Sequence, residues 1–257
     1  MKILITGANG YIGKSLYKVL KNKYEVITLT RNKCDLTNPL DVNFYFSDKW
    51  FDVVIHCAVK GGSRLSLDKW NIIDTNISMY YNLLNCKDKF GKLIHFGSGA
   101  EIHMNNQPYG FSKYVIRQSI LHQDNFYNLR LFAVFDENEL DTRFIKTNIK
   151  NYINKIPIKI YQNKKMDFIY MPDLIKIVNY YIIKDNPPKE INCNYINVFS
   201  LEEIANMINN LSDYKVKIEL DQENFGINYN SDYIDLGINF IQLQQGIKRV
   251  YKKLLNK

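Results

Sequence analysis

Tyr109 and Lys113 stand four residues apart in PYGFSKY, residues 108–114. On a helix that spacing puts both side chains on one face. A tyrosine hydroxyl in water has a pKa of about 10, and a nearby ammonium favours its phenolate. A tyrosine so placed can exchange a proton with a carbonyl oxygen while hydride adds to the carbon. The spacing alone selects nothing, because Tyr17/Lys21, Tyr45/Lys49, Tyr161/Lys165 and Tyr180/Lys184 repeat it. Context separates them. Tyr109 and Lys113 follow an apolar run, KLIHFG (92–97), and then Ser98, whose hydroxyl suits a substrate oxygen.

The elements that must hold this trio are legible as periodicity. KILIT (2–6), EVITLT (25–30), FDVVIHC (51–57), KLIHFG (92–97) and NLRLF (128–132) read as strands. Helical patterns fall between them: 11–21, with Ile12, Leu16, Val19 and Leu20 on one face, a segment from Pro39 to about 48, then 67–85 and 109–123. Continuous apolar strands alternating with helices imply a parallel sheet covered on both faces. Beyond about residue 135, helices at 141–155, 172–184, 200–211 and 240–255 alternate with short strands at 158–161, 168–170 and 215–220. The expected architecture is α/β: a Rossmann-type doubly wound parallel sheet with a small C-terminal α+β substrate-binding part. Residues 1–165 are assigned to the first domain, with 166–185 returning to it. Residues 186–257, with part of 136–165, are assigned to the second.

GANGYIG (7–13) lies between the first strand and the first helix. There Gly7 permits a tight turn, Gly10 a close approach of backbone to a pyrophosphate, and Gly13 close helix–sheet packing. The phosphates would sit at the helix start beside Tyr11 and Ile12. Binders of NAD place an acid at the end of the second strand, on the ribose 2′-OH. Here Arg31 stands at that end. A guanidinium suits a 2′-phosphate, which points to NADP, with NAD the other possibility.

Composition sets the outer limits. The chain has 257 residues, 46% hydrophobic and 23% charged, with formal net charge +8. The lysines are scattered, without an Arg-rich run or finger motif, so a solvated surface explains the charge and nucleic acid is not expected as a partner. No apolar run approaches the roughly 20 residues of a membrane helix, and MKILITGANG reads as strand and turn rather than a leader. A cytoplasmic protein is expected. Cys34, Cys57, Cys86 and Cys193 have neither metal-site nor disulfide-framework spacing, so no metal is expected. His56 and His95 fall within strands and read as core.

Taken together, these segments resemble the extended short-chain dehydrogenase/reductases that act on nucleotide sugars, the NAD-dependent epimerase/dehydratase family. CDLTN (34–38) resembles the family's Asp-Leu-Thr segment, so Asp35 inherits contact with the adenine and Leu36 goes with it. CAVKGG (57–62) resembles the loop beside the nicotinamide ribose, which brings in Ala58 and, toward substrate, Lys60. HFGSGAEI (95–102) resembles the Gly-Ser-Ser segment. Ser98 falls on the catalytic hydroxyl there, although a register using Gly99 would lack it. LRLFAVFD (129–136) and MDFIYMPDL (166–174) resemble two further family segments, and 226–250 the closing helix region. By this resemblance Ser98, Tyr109 and Lys113 are catalytic, Lys113 also holds the nicotinamide ribose, and Arg143 contacts substrate. Met166 replaces a family Arg, and only 11 positions separate Ser98 from Tyr109, where relatives have a longer loop.

The family's dehydratases carry an acid pair right after the Ser/Thr. Gly99 and Ala100 stand there instead, which argues against dehydration. The resemblance, nearest to GDP-fucose synthase-like enzymes, implies an NADP-dependent reductase of a 4-keto (6-deoxy) sugar nucleotide. A nucleotide-sugar epimerase with tightly bound NAD is the alternative, and a non-catalytic cofactor-sensing module the second. A homodimer packing the Tyr/Lys helix is also implied.

Overall fold

The computed structural model describes residues 1–63, 66–221 and 226–256. Its central sheet has six strands: β1 (Lys2–Thr6), β2 (Glu25–Leu29), β3 (Phe51–His56), β4 (Phe90–Ser98), β5 (Phe126–Leu131) and β10 (Glu190–Asn192). They lie in the order β2-β1-β3-β4-β5-β10. β1 runs parallel to β2 and β3, and β3 parallel to β4, with His56 opposite His95. The chain moves outward from β1 to β2, then crosses back to β3 on the other side of β1. That reversal is the switch point of a doubly wound sheet, where the strands' carboxyl ends open a crevice.

The helices between these strands are α1 (Tyr11–Leu20), α2 (Pro39–Phe46), α3 (Asn71–Asn85), the short α4 (Ala100–His103) and α5 (Pro108–Leu121). In α1 the buried residues are Gly13, Leu16 and Leu20, whereas Val19, expected on the inner face, is exposed. Gly13 explains the difference. Its backbone packs against the glycine turn, so the inner face is set by 13, 16 and 20. Pro39 opens α2 as expected, with Asn38 capping Leu40 N–H. α3 starts at Asn71 rather than 67, because Asp68 instead accepts the N–H of Gly62 at 3.0 and 3.1 Å. Leu4, Leu29, Val54, Phe51, Phe90, Leu93, Ile116 and Ile120 share one core cluster. Each such side chain contributes about 1.5–3 kcal/mol by leaving water.

Two compact units result: Met1–Arg130 with Val178–Ile191, and Leu131–Ile177 with Asn192–Lys257. The first break thus falls at 130/131, ahead of the 165 expected from the sequence. The returning segment is 178–191 rather than 166–185. The reason is β10, which adds the sixth strand and draws the end of α7 (Met171–Ile183) with it. Lys92 secures that end, donating to the carbonyls of Tyr181 at 2.7 Å and Lys184 at 2.9 Å.

The second unit is α+β. It holds α6 (Phe144–Ile153), α8 (Leu201–Asn209) and α9 (Leu243–Leu255) with three strand pairs. These are β6 (Val134–Phe135) with β9 (Ile169–Tyr170), β7 (Ile158–Ile160) with β12 (Ile218–Leu220), and β8 (Lys165–Met166) with β11 (Phe199–Ser200). Ser200 and Glu203 form a capping box at the start of α8. Asp173, fully buried, accepts from the Tyr195 hydroxyl at 2.7 Å and from the N–H groups of Ile241 and Gln242 at 2.9 and 3.1 Å. It thereby fixes the turn that launches α9.

Candidate active site

The glycine turn is built for close backbone approach. Gly7 has φ +60, and a Cβ there would lie 2.6 Å from Ala58 N. A Cβ on Gly13 would lie 2.7 Å from the Gly7 carbonyl oxygen, so α1 packs tightly on the turn. A Cβ on Gly10 would meet only the Gly7 carbonyl, at 3.3 Å. The first turn of α1 carries no acidic residue and no side-chain cap. Its N–H groups, with Tyr11 and Ile12 half-buried beside them, form a cradle suited to phosphate oxygens. These residues fit a dinucleotide.

Ala58 is held from beneath. Its N–H donates to Thr6 Oγ1 at 3.2 Å, and Thr6 Oγ1 also meets His56 Nδ1 at 2.9 Å. Lys60 has an exposed side chain, while its own N–H and carbonyl are both bound by Asn76 of α3, at 2.8 and 3.0 Å. The Asn76 side chain also reaches Ser112 of α5 at 3.0 Å. This loop then closes on the tyrosine: a Cβ on Gly62 would lie 2.8 Å from Tyr109 Cζ.

Lys113 is buried, its ammonium 5.9 Å from the centre of the Tyr109 ring. Its Nζ donates to the Phe96 carbonyl at 2.6 Å and to His95 Nε2 at 3.4 Å. An ammonium has three N–H groups and no acceptor. Nε2 of His95 is therefore the acceptor, and its ring proton sits on Nδ1, which has no hydrogen-bond partner among the described residues. Burial pushes the Lys113 ammonium down to about 8, against the pull of Glu101 and Cys57. Burial, with the Lys113 charge, also holds His56 down to about 3 and His95 well below its ordinary value. Both histidines are neutral at physiological pH, in keeping with a core role.

Ser98 ends β4 and is buried, and its Oγ accepts the N–H of Ala100 at 3.2 Å. That bond leaves the hydroxyl proton free to be donated. The short connection to Tyr109 is closed by α4 and Gly110. A Cβ on Gly110 would collide with the Met104 carbonyl oxygen and lie 2.6 Å from that of Ala100. The turn thus rests directly on the first turn of α5.

At the end of β2, Arg31 has a side chain 81% exposed and is paired with Asp35 at 3.0 Å. Hydrogen bonds from Thr37 N–H and hydroxyl, then Arg31, hold the Asp35 carboxyl below its usual range. Leu36 turns its side chain into the core and gives its carbonyl to Asn82. Its contribution is to seat Asp35. Arg143 stands at the start of α6 and belongs to the second unit. Contacts within the first unit therefore link Gly7, Ala58, Tyr109, Lys113 and the Phe96–Ser98 strand end.

Asn76, the Phe96 carbonyl and Glu101 join the site without any motif that marks them in the sequence. Asn76 carried a signal, as a polar residue among the buried positions of α3. Glu101 stands in HFGSGAEI (95–102), where nothing local marks its burial to 2% exposure.

A glycine cradle after β1 and a Tyr/Lys helix after β4, on this strand order, define a dinucleotide-binding α/β protein of the short-chain dehydrogenase/reductase kind. A profile described as "Epimerase: NAD dependent epimerase/dehydratase family" matches residues 3–193, and the chain belongs to that family. Among curated proteins it is similar to GDP-L-colitose synthase of Yersinia pseudotuberculosis, 23% identical over 304 residues, covering 100% of this chain and 98% of that protein. CDP-abequose synthase of the same organism is 24% identical over 213 residues, 72% of this chain and 75% of that one. Among solved structures, GDP-mannoheptose C4 reductase from Campylobacter jejuni with NADP bound superposes at TM-score 0.81, with 16% identity over 99% of this chain and 98% of that one. UDP-glucose 4-epimerase from Thermotoga maritima with UDP-glucose gives 0.80, with 17% identity over 100% and 99%.

Proposed function

We propose that the protein is an NADP-dependent reductase of a 4-keto (6-deoxy) sugar nucleotide. One observation carries this reading: Tyr109 and Lys113 lie on one face of α5, with the Lys113 ammonium bonded to the strand that ends in Ser98. When bound, the nicotinamide cofactor supplies hydride. Tyr109 then gives its proton to the carbonyl oxygen, Ser98 donates a hydrogen bond to that oxygen, and Lys113 holds ribose hydroxyls. Dehydration is disfavoured, because the acid nearest Ser98, Glu101, is committed to Arg130 at 2.6 Å. Arg31, largely exposed at the end of β2, favours a 2′-phosphate. The relatives' names, two nucleotide-linked sugar synthases and a C4 reductase, support a nucleotide sugar as substrate.

A second reading has its own observation. Asp35 places a carboxylate against Arg31, and a carboxylate in this region suits the free ribose of NAD. That favours an epimerase that returns its hydride. The test is NADPH and NADH absorbance with a panel of 4-keto-6-deoxy sugar nucleotides, beside epimerisation assays without added cofactor. Substrate-dependent NADPH oxidation is expected. Epimerisation without net oxidation would replace the reductase reading, and silence in both assays would remove both.

A further inference from the structure

Beneath the Ser98 turn runs a buried chain of charges. Glu101 Oε2 accepts the Ser98 N–H at 3.2 Å, and its Oε1 accepts from Asn128 Nδ2 at 2.9 Å and Arg130 Nε at 2.6 Å. Arg130 continues to Glu190 Oε2 at 3.1 Å. Glu190 in turn takes two bonds from Arg117, at 2.5 and 2.7 Å. Arg117 lies on α5, four residues beyond Lys113 and eight beyond Tyr109, so all three share one helix face. The chain therefore begins at the backbone of Ser98 and ends on the helix that carries Tyr109 and Lys113. It threads a space that a side chain at 97 would fill: a Cβ on Gly97 would lie 2.5 Å from Asn128 Oδ1 and 2.7 Å from Glu101 Oε2.

The charge state follows from the donors. Ser98 N–H, Asn128 Nδ2 and Arg130 Nε all donate, and none offers an acceptor to a protonated carboxyl. Burial raises the Glu101 carboxyl above its ordinary range, and the Arg130 charge with the bonds from Arg130, Ser98 N–H and Asn128 opposes that rise. Three donors converging on it are the geometry that suits its carboxylate form. With Glu190, Arg117 and Arg130 the network balances at two negative and two positive charges. Lys113 is the fifth charge of this region. It is faced by His95 and the Phe96 carbonyl from β4, by His56 and Cys57 from the end of β3, by Tyr109 from its own helix and by Glu101 from α4. Both histidines are neutral, and burial raises the Cys57 thiol, keeping it neutral too. Glu101 is thus the carboxylate that favours the Lys113 ammonium.

We propose that Glu101 is a positioning residue for the Ser98, Tyr109 and Lys113 trio: its carboxylate anchors the Ser98 turn, two residues beyond the Phe96 carbonyl that Lys113 grips, while the Arg130–Glu190–Arg117 chain locks it to α5. This rests on the roles given to the trio above. It also accounts for how so short a connection between Ser98 and Tyr109 stays in register. The link is made through side chains beneath the turn.

The test reads Lys113 directly, without substrate. Protein with 13C-labelled lysine is titrated by NMR, and Lys113→Met identifies the resonance. In Glu101→Gln the Lys113 titration moves down by about half a unit or more, as expected when a nearby opposite charge is removed. A merely structural residue would leave it in place. Glu190→Gln, at the less buried end, serves where Glu101→Gln does not fold. There Arg130 and Arg117 both fall back on Glu101 and weaken its pull, giving a smaller downward shift. An unchanged Lys113 titration in whichever variant is folded overturns the proposal. Absence of turnover in the wild type would sink the reductase reading but leave this titration intact, so the two failures are distinguishable.

Discussion

Replacing Gly62 by alanine tests whether the loop after β3 holds Tyr109 in place. Gly62 has φ +73, a conformation costing a residue with a Cβ about 1–2 kcal/mol. The added carbon would also sit 2.8, 2.9 and 3.1 Å from Cζ, Cε2 and Cε1 of Tyr109, where ordinary contact begins near 3.4 Å. The ring must move by roughly half an ångström, and leaving its rotamer costs of order 0.5–1.5 kcal/mol. Together these come to about 1.5–3.5 kcal/mol. A double-mutant cycle separates the two parts. Removing the ring with Tyr109→Ala leaves only the backbone cost of Gly62→Ala, so urea unfolding is expected to give a coupling near 1 kcal/mol. Gly237→Ala is the control: φ is +67 and nothing lies within 4 Å of the added Cβ, so it carries the backbone cost alone. A coupling below about 0.3 kcal/mol would refute the contact and with it the loop's hold on Tyr109.

Arg31→Ala is expected to weaken NADPH about tenfold or more relative to NADH, by fluorescence titration, with thermal stability little changed since an exposed pair is worth about 0–1 kcal/mol. Equal losses for both cofactors would contradict a 2′-phosphate contact. Burial pushes Glu139 up to about 8, from an ordinary 4.5, and one of its oxygens has no partner among the described residues. The unfolded chain releases this proton first, so the fold loses stability as pH rises from about 4.5 to about 8. Glu139→Gln should flatten that slope and be the more stable protein at pH 8, by an amount on the order of a few kcal/mol. A slope equal to wild type counts against it. Asp173→Asn presents an amide N–H₂ where Tyr195, Lys176, Ile241 and Gln242 all donate, and should cost about 3–5 kcal/mol in denaturant unfolding. A loss under 1 kcal/mol, on the order of one hydrogen bond, would contradict its role as the hub of that turn.

Much of the first unit was legible because its strands are continuous apolar runs and its glycines punctuate them. The glycine turn and the Tyr109/Lys113 helix follow from patterns spaced a few residues apart. What escaped the sequence is nonlocal. Asn76 joins the 57–62 loop to Ser112 across 36 positions. Arg130 reaches back 29 positions to Glu101 and forward 60 to Glu190. No periodicity announces a pairing between residues that distant. Boundaries were missed for a related reason. The first unit ends with β5 but regains 178–191, because β10 adds the sheet's sixth strand. The inner face of α1 was misjudged at Val19 because Gly13, which has no side chain to register as apolar, sets the packing.

The central claim is that Tyr109 is the proton donor of a carbonyl reduction. It is met most directly by Tyr109→Phe, assayed by NADPH absorbance with a 4-keto-6-deoxy sugar nucleotide, with cofactor affinity measured in parallel. Loss of turnover by about 10²-fold or more, with NADPH binding within a few-fold of wild type, is the expected result. Turnover undiminished by the missing hydroxyl would contradict it.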